Sequence, residues 1–355
     1  MNKLTFIQTL SDRLAAIPHG EAQRVLNFYS EAIDDRIEDG MSEEDAVAAV
    51  GDPDAIARDI LGDAIPTLHR TGDSYKFRIA ADEPDGDGRD RAFDPAQVKT
   101  ILIQETGNDV RVSASPDDRI HVVCEEPRGL VCTLGDDGTL DIRRTAEQHR
   151  GSFLGFSFNF STTVGDDVEL LLPEGCRPPL SVATTSGDVE IAVPALEALH
   201  IRTTSGDVRI PEGLTVDRTA AVTTVSGDQV LFALVCGGDL SVTTTSGDVE
   251  MTDPVAKKLT LRTVSGDFDL VGGSVDALNA QSTSGDMDLR LDGVLSQGRF
   301  ESVSGDYTLH LGGSEELYRV IARDKSGVDR SQGSPSGNPL VFRTLSGDIE
   351  LSFEE

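Results

Sequence analysis

Tryptophan is absent, and aromatic residues make up only 5% of the 355-residue chain. Large rings fill wide cores, so a chain this poor in them is expected to build a thin core with no room for them. Cysteine is equally sparse: Cys124, Cys132, Cys176 and Cys236 form no CxxC pair and no regular framework, so reduced structural thiols are expected. Basic residues are outnumbered, 31 Lys and Arg against 62 Asp and Glu, for a net charge of −31. Nucleic acid and anionic lipid both require a basic face, which excludes direct binding to either and leaves a cationic partner open. No window approaches 18 apolar residues, and the opening MNKLTFIQTLSDRL has no apolar stretch of signal-peptide length. A chain without a membrane span and with a cytoplasmic location is expected. His19, His69, His121, His149, His200 and His310 show no metal-ligand spacing, and there is no Gly-rich phosphate loop and no Gly-x-Ser-x-Gly elbow. No enzyme activity and no cofactor are expected.

What the chain has in abundance is one phrase. Ser-Gly-Asp begins at Ser186, Ser205, Ser226, Ser246, Ser265, Ser284, Ser304 and Ser346, with a degenerate copy at Ser326-Gly327-Val328 where a further one is due. A period of about 20 residues is the mark of stacked repeats. Counting from each Ser, positions −6, −4, +3 and +5 are apolar, as in Leu180, Val182, Val189 and Ile191. Period-two alternation on both sides of the phrase means two short strands, each with one buried face. The inward phase switches across the phrase, so Gly187, Gly206, Gly227, Gly247, Gly266, Gly285, Gly305 and Gly347 are expected to be corners that absorb the bend. Position −2 is hydroxylic and inward (Thr184, Thr203, Thr224, Thr244, Thr263, Ser282, Ser302, Thr344), and a ladder of hydroxyls bonding coil to coil is expected. The outward aspartates form a column. They either accept N–H bonds at their own corners or hold cations. Together these features predict a mainly β fold, a parallel β-solenoid preceded by a small all-α domain; a row of antiparallel hairpins is the rival geometry.

Residues 1–63 carry the helical part. Leu4, Ile7, Leu10 and Leu14 share a helical face, a second helix follows Pro18, and Gly51-Asp52-Pro53 punctuates the next. The phrase Glu38 to Ala46, followed by Val50-Gly51-Asp52-Pro53, resembles the HAAS signalling domain, formerly DUF1700. That resemblance implies a protein partner, such as a PadR-like transcriptional regulator. Phe6, Phe28 and Tyr29 are the candidate anchors of the contact, since Phe6 and Phe28 lie off the main stripes and rings dominate contact energies. Residues 64–95, rich in charge and turn formers, are assigned to a linker.

Residues 96–355 form the β part. Phe156, Phe158 and Phe160 share one side of an extended segment, either a flap over the solenoid or an exposed contact surface. The Leu-Pro-x-Gly stretch after Val168, followed by Thr-x-Ser-Gly-Asp-Val repeats, resembles the DUF4097 family of adhesin-labelled β-strand repeats. That resemblance implies a right-handed β-helix without enzymatic activity, found beside envelope-stress or regulatory genes. Two functions follow. One is a signalling scaffold with a capped array, and the other is a self-associating or surface-adhesive β-helix with a bare apolar end.

Overall fold

The computed structural model describes residues 3–13, 26, 29, 30, 33, 41–50 and 53, and then 89–144, 147–153, 156–162, 166–323 and 329–354. The chain divides into two compact units, Met1–Tyr75 and Lys76–Glu355. In the first, helices α1 (Lys3–Arg13) and α2 (Glu43–Val50) enclose a small core of Phe6, Leu10, Leu26, Tyr29, Ile33, Ala46 and Val47. Among the described residues no helix is long and apolar enough to cross a membrane.

The second unit starts earlier than its charge suggests. Asp90–Phe93, placed in the linker by composition, is strand β1, paired antiparallel with β4 (Ile120–Val123). Edge strands tolerate charge because their outer side meets water. Here Phe93 is buried while Asp90 remains exposed.

Strands β2 (Thr100–Gln104), β3 (Val110–Ala114), β5 (Leu130–Leu134) and β6 (Thr139–Arg144) precede a hairpin of β7 (Glu147–Phe153) and β8 (Phe156–Thr162). Next come β9 (Val168–Leu172), β10 (Leu180–Ala183) and β11 (Val189–Ile191). From β10 onward each coil contributes a strand to each of two long sheets, and three coils add a short further strand to the second, Ala195–Leu196, Leu214–Val216 and Leu234–Cys236, which pair with one another in parallel. In the first sheet β3 pairs with β11, and the stack continues through Val208–Ile210, Gln229–Phe232, Val249–Thr252, Phe268–Val271, Met287–Leu291, Tyr307–Gly312 and Ile349–Glu354. In the second, β2 pairs with β10, followed by Leu199–Arg202, Ala220–Thr223, Asp239–Thr243, Val255–Arg262, Ser274–Ser282, Gln297–Ser302 and Asn338–Thr344. The strands flanking each Ser-Gly-Asp lie in different sheets and pair in parallel with neighbouring coils. That rules out a row of antiparallel hairpins.

Chain order and spatial order part at both ends. β2 and β3 sit inside the stack, with β6 and β9 on one side and β10 and β11 on the other. Beyond β9 the pairing turns antiparallel through β4 and β1, and β5 pairs antiparallel with β6. At the other end, Tyr307–Gly312 pairs directly with Ile349–Glu354. No coil is inserted for the degenerate repeat, correcting its assignment as a missing copy. Ser326-Gly327-Val328 itself lies outside the described residues, between Tyr318–Arg323 and Asp329–Gly333, which pair antiparallel.

The core does admit rings, contrary to the expectation from composition, but toward the C-terminal coils. Phe300 stacks on Phe342 at 4.7 Å and meets Tyr307 edge-on at 6.1 Å. Space comes from Gly298, whose missing Cβ would lie 2.6 Å from the Phe300 ring.

Candidate functional site

The edge where every coil turns from one sheet to the other concentrates the repeated polar residues. Each corner serine donates its hydroxyl to a main-chain carbonyl of the preceding coil, from Ser186 to Thr106 at 3.2 Å through to Ser346 to Val303 at 3.1 Å. The glycines are required by proximity rather than by conformation, which corrects the bend argument. None of the eight has a positive φ. A Cβ on any of them would lie 1.9–2.1 Å from the corner carbonyl oxygen of the coil before.

The aspartates form a ladder between coils, not the separate own-corner turns expected. Asp207 N donates to Asp188 Oδ1 at 2.8 Å, Asp248 N to Asp228 Oδ1 at 2.9 Å, and the pattern runs unbroken from Asp167 to Asp348. An N–H donated to a carboxylate is a strong bond, so each side chain stabilises the next coil. The buried hydroxyls do the reverse of what was expected and serve their own corners. Gly206 N donates to Thr203 Oγ1 and Gly247 N to Thr244 Oγ1, both at 2.9 Å, while Ser282 and Ser302 donate to Gly285 O and Gly305 O.

A family profile described as Toastrack DUF4097 matches residues 98–336. The chain belongs to the Toastrack DUF4097 family. A second profile, HAAS, matches residues 5–59, so the helical unit is a protein-interaction domain and both parts are of non-catalytic kinds. No curated protein matches the chain. Among solved structures, a protein from Parabacteroides distasonis ATCC 8503, provisionally described as lipid binding, is similar at 15% identity and TM-score 0.46, covering 75% of this chain and 96% of that one. A provisionally described adhesin from Bacteroides fragilis NCTC 9343 is similar at 14% identity and TM-score 0.37, covering 74% and 96%.

The Toastrack array holds features that repeat-reading missed. Thr106-Gly107-Asn108-Asp109 is a further corner in the same column, since Asp188 N donates to Asp109 Oδ1. Register carries the threonine column into Glu105 and Arg144, a fully buried ion pair with Nε 3.1 Å from Oε2. Arg144 also donates to Asp166 O at 2.7 Å and Arg128 O at 2.8 Å and lies 3.6 Å from Cys124 Sγ. Burial pushes the Glu105 carboxyl above its ordinary value despite the guanidinium beside it. Gln229 fills a +3 position where other coils carry Val, Phe, Met, Tyr or Ile. Its Nε2 donates to Thr224 Oγ1 and Thr243 O, and its buried Oε1 has no partner. Its visible signal was a polar residue breaking an apolar column.

Two clefts flank the N-terminal coils. One of about 400 Å³ is lined by Cys124, Asp166, Glu169, Asp188 and Arg209, and one of about 590 Å³ by Lys99, Pro173, Cys176 and Arg177. Neither holds a nucleophile beside a base. Among the described residues no group of His, Cys, Asp or Glu could hold a metal ion.

The proposed anchors of the helical unit separate. Phe6 and Tyr29 are buried with ring centroids 6.0 Å apart, so they belong to the core and are withdrawn as contact residues. A helix packed against two neighbours buries a broad face rather than a narrow stripe, and an off-stripe ring falls inside it. Phe28 lies outside the described residues. Phe156, Phe158 and Phe160 lie on β8, in a two-stranded sheet joined to neither sheet of the array.

Proposed function

We propose that this protein is a cytoplasmic, non-enzymatic signalling scaffold. Its HAAS unit contacts a regulatory protein, of the PadR-like transcriptional regulator kind or from an envelope-stress response, and its Toastrack array is the interaction platform. The observation supporting this reading is the uniformity of the corner edge. Eight serines make one kind of bond and nine aspartates another. A reaction centre needs one environment unlike the rest, and no serine or aspartate of this ladder is set apart in that way. Closure of the β1 end by antiparallel strands speaks against an adhesive polymer, because coils cannot be added there in parallel register.

The test is capture on an immobilised PadR-like regulator from the same cell. The full chain is expected to bind and a chain lacking residues 1–63 to fail. Capture by the truncated chain would move the binding role to the array, and capture by neither would remove that regulator from the reading.

A further inference from the structure

The net charge of −31 is not spread evenly over the array. On the outward side of the first sheet, from β11 to Ile349–Glu354, the two central columns hold Glu190, Glu250, Asp269, Asp288 and Glu350 against Arg209 and Arg290. The outward side of the second sheet has the opposite sign. Its two central columns, from Ser181 and Ala183 on β10 to Val341 and Arg343, carry Arg202, Arg262, Arg299 and Arg343 against a single acid, Glu301. That acid is already engaged, since Arg299, Gln281 and Arg343 donate to it at 2.6, 3.0 and 3.2 Å.

Arg202 lacks any such counter-charge. Register sets it between Ala183 and Thr223, with Ser181, His200 and Ala221 in the column alongside. Among the described residues its guanidinium has no hydrogen bond or ion pair, yet the residue is half-buried, and burial holds its pKa below the ordinary value. A partly desolvated cation gains from any carboxylate set upon it, through charge-assisted hydrogen bonds. Three coils on in the same column stands Arg262, about 14 Å away at the spacing of strands. Between the two lie Thr223, Ser241, Thr243 and Thr260.

We infer that this face of the array binds an acidic segment of a partner protein, whose carboxylates meet Arg202 and Arg262 and whose main chain bonds the hydroxyls between them. The inference rests on the reading of the array as an interaction platform, and it names the face and the chemistry. Hydroxyls both donate and accept, as the C=O and N–H groups of an extended chain require, and four extended residues span about 14 Å. A long polyanion fits worse. The eight strands of the face cover only about 34 Å, and its borders are acidic, with the corner aspartates on one side and Asp239 and Asp276 on the other. Screening over about 8 Å in physiological salt confines the attraction to the arginines themselves, which favours a segment with a few placed carboxylates.

Anisotropy of a dye-labelled peptide alternating Glu and Ser over ten residues, titrated with the full chain at physiological salt, tests it. Saturable binding is expected. Arg202→Gln/Arg262→Gln should raise the dissociation constant at least tenfold, while Arg111→Gln/Arg209→Gln, an equal change of charge on the first sheet, should leave it within twofold. Binding should also raise the His200 pKa, which desolvation and then the Arg202 charge hold below the ordinary value, as read from its ring protons. Absence of saturable binding, or equal losses in the two variant pairs, overturns the inference. So does a polyphosphate chain that binds where the peptide does not, and so does self-association of the parent that Arg202→Gln/Arg262→Gln abolishes, which would give the face to a second copy. Regulator capture that needs residues 1–63 but not these arginines keeps the HAAS contact separate from this face, so either can fail without the other.

Discussion

Replacing Gly247 by Ala separates the two physical reasons for a corner glycine. Gly247 has no positive φ, so Ala suits its backbone, and if a bend were the only requirement the change would stabilise by about 0.4–1 kcal/mol through the unfolded state. Geometry predicts the opposite. The new Cβ would sit 2.1 Å from Gly227 O and 2.6 Å from Gly227 C. Ordinary contact begins near 3.5 Å, so the coils must part by more than about 1 Å. Bonds crossing that edge include Ser246 N to Val225 O at 2.8 Å, Asp248 N to Asp228 Oδ1 at 2.9 Å and Ser246 Oγ to Val225 O at 3.3 Å. Stretching three bonds worth about 1 kcal/mol each gives a net loss of about 2–3 kcal/mol. Gly175→Ala is the matched control, with φ of +79° but nothing within 4 Å of the new Cβ, so it reports conformational strain alone, about 1 kcal/mol. Denaturant melts of both variants decide the matter. A Gly247→Ala protein as stable as the parent, or less perturbed than Gly175→Ala, would refute the close-approach reasoning.

Gln229→Met should stabilise by about 1 kcal/mol, because it removes a buried carbonyl without a partner and places at this position the residue that Met287 supplies in the same column; a lower midpoint would count against the reading. Glu105→Gln should cost about 3–5 kcal/mol by leaving Arg144 buried without its counter-charge, and Glu105→Gln/Arg144→Met should recover much of that loss in the same melts. His121 bonds Asp90 and Asp117, each at 2.9 Å; burial works against its charged form, yet the two carboxylates hold its pKa above the ordinary value. A raised pKa gives stability that is complete below about 6.5 and lost as pH rises through the folded value, so β1 amides should exchange faster at pH 8 than at pH 6 after correction for intrinsic rates, and Asp90→Asn/Asp117→Asn should flatten the difference. Asp248→Ala should cost about 1 kcal/mol through the bond accepted from Asp267 N at 3.0 Å, with Asp248→Asn retaining most of it in parallel denaturant melts.

Alternation made the array legible, because Leu180, Val182, Val189 and Ile191 point inward at a period that only strands share. The direction of the polar bonds was not legible. Whether Asp207 bonds its own corner or the next coil depends on the step between coils, a distance that no spacing within one repeat encodes. Charge concealed β1, since an edge strand such as Asp90–Phe93 uses outward positions that composition reads as linker. The terminal coils were hidden for a topological reason. β2 and β3 are flanked by strands from later in the chain, so sequence neighbours there are not spatial neighbours. Phe6 and Tyr29 were misplaced because a stripe drawn on one helix does not show the rings that meet across two.

The positions that make the array regular are the ones it consumes. Ser, Gly and Asp at each corner are engaged by adjacent coils, and changing one alters stability wherever it lies. Recognition must therefore be written in positions that differ between coils while the backbone stays constant. The outward column of the first sheet is such a place. It runs Glu169, Arg111, Glu190 and Arg209, then Val230, Glu250, Asp269 and Asp288. Opposite charges alternate in its first half, and Arg111 and Glu190 are 3.3 Å apart. Beyond Val230 three carboxylates follow, of which Asp288 is paired with Arg290 at 3.4 Å and Glu250 and Asp269 face each other across adjacent coils. Strands about 5 Å apart hold these like charges together because corner ladders and core fix the backbone, so their mutual repulsion is available to any partner that relieves it. A partner bearing positive charge beside an apolar strip is favoured there twice over, because Val230 and Phe232 stand 40% and 45% exposed next to the acidic half.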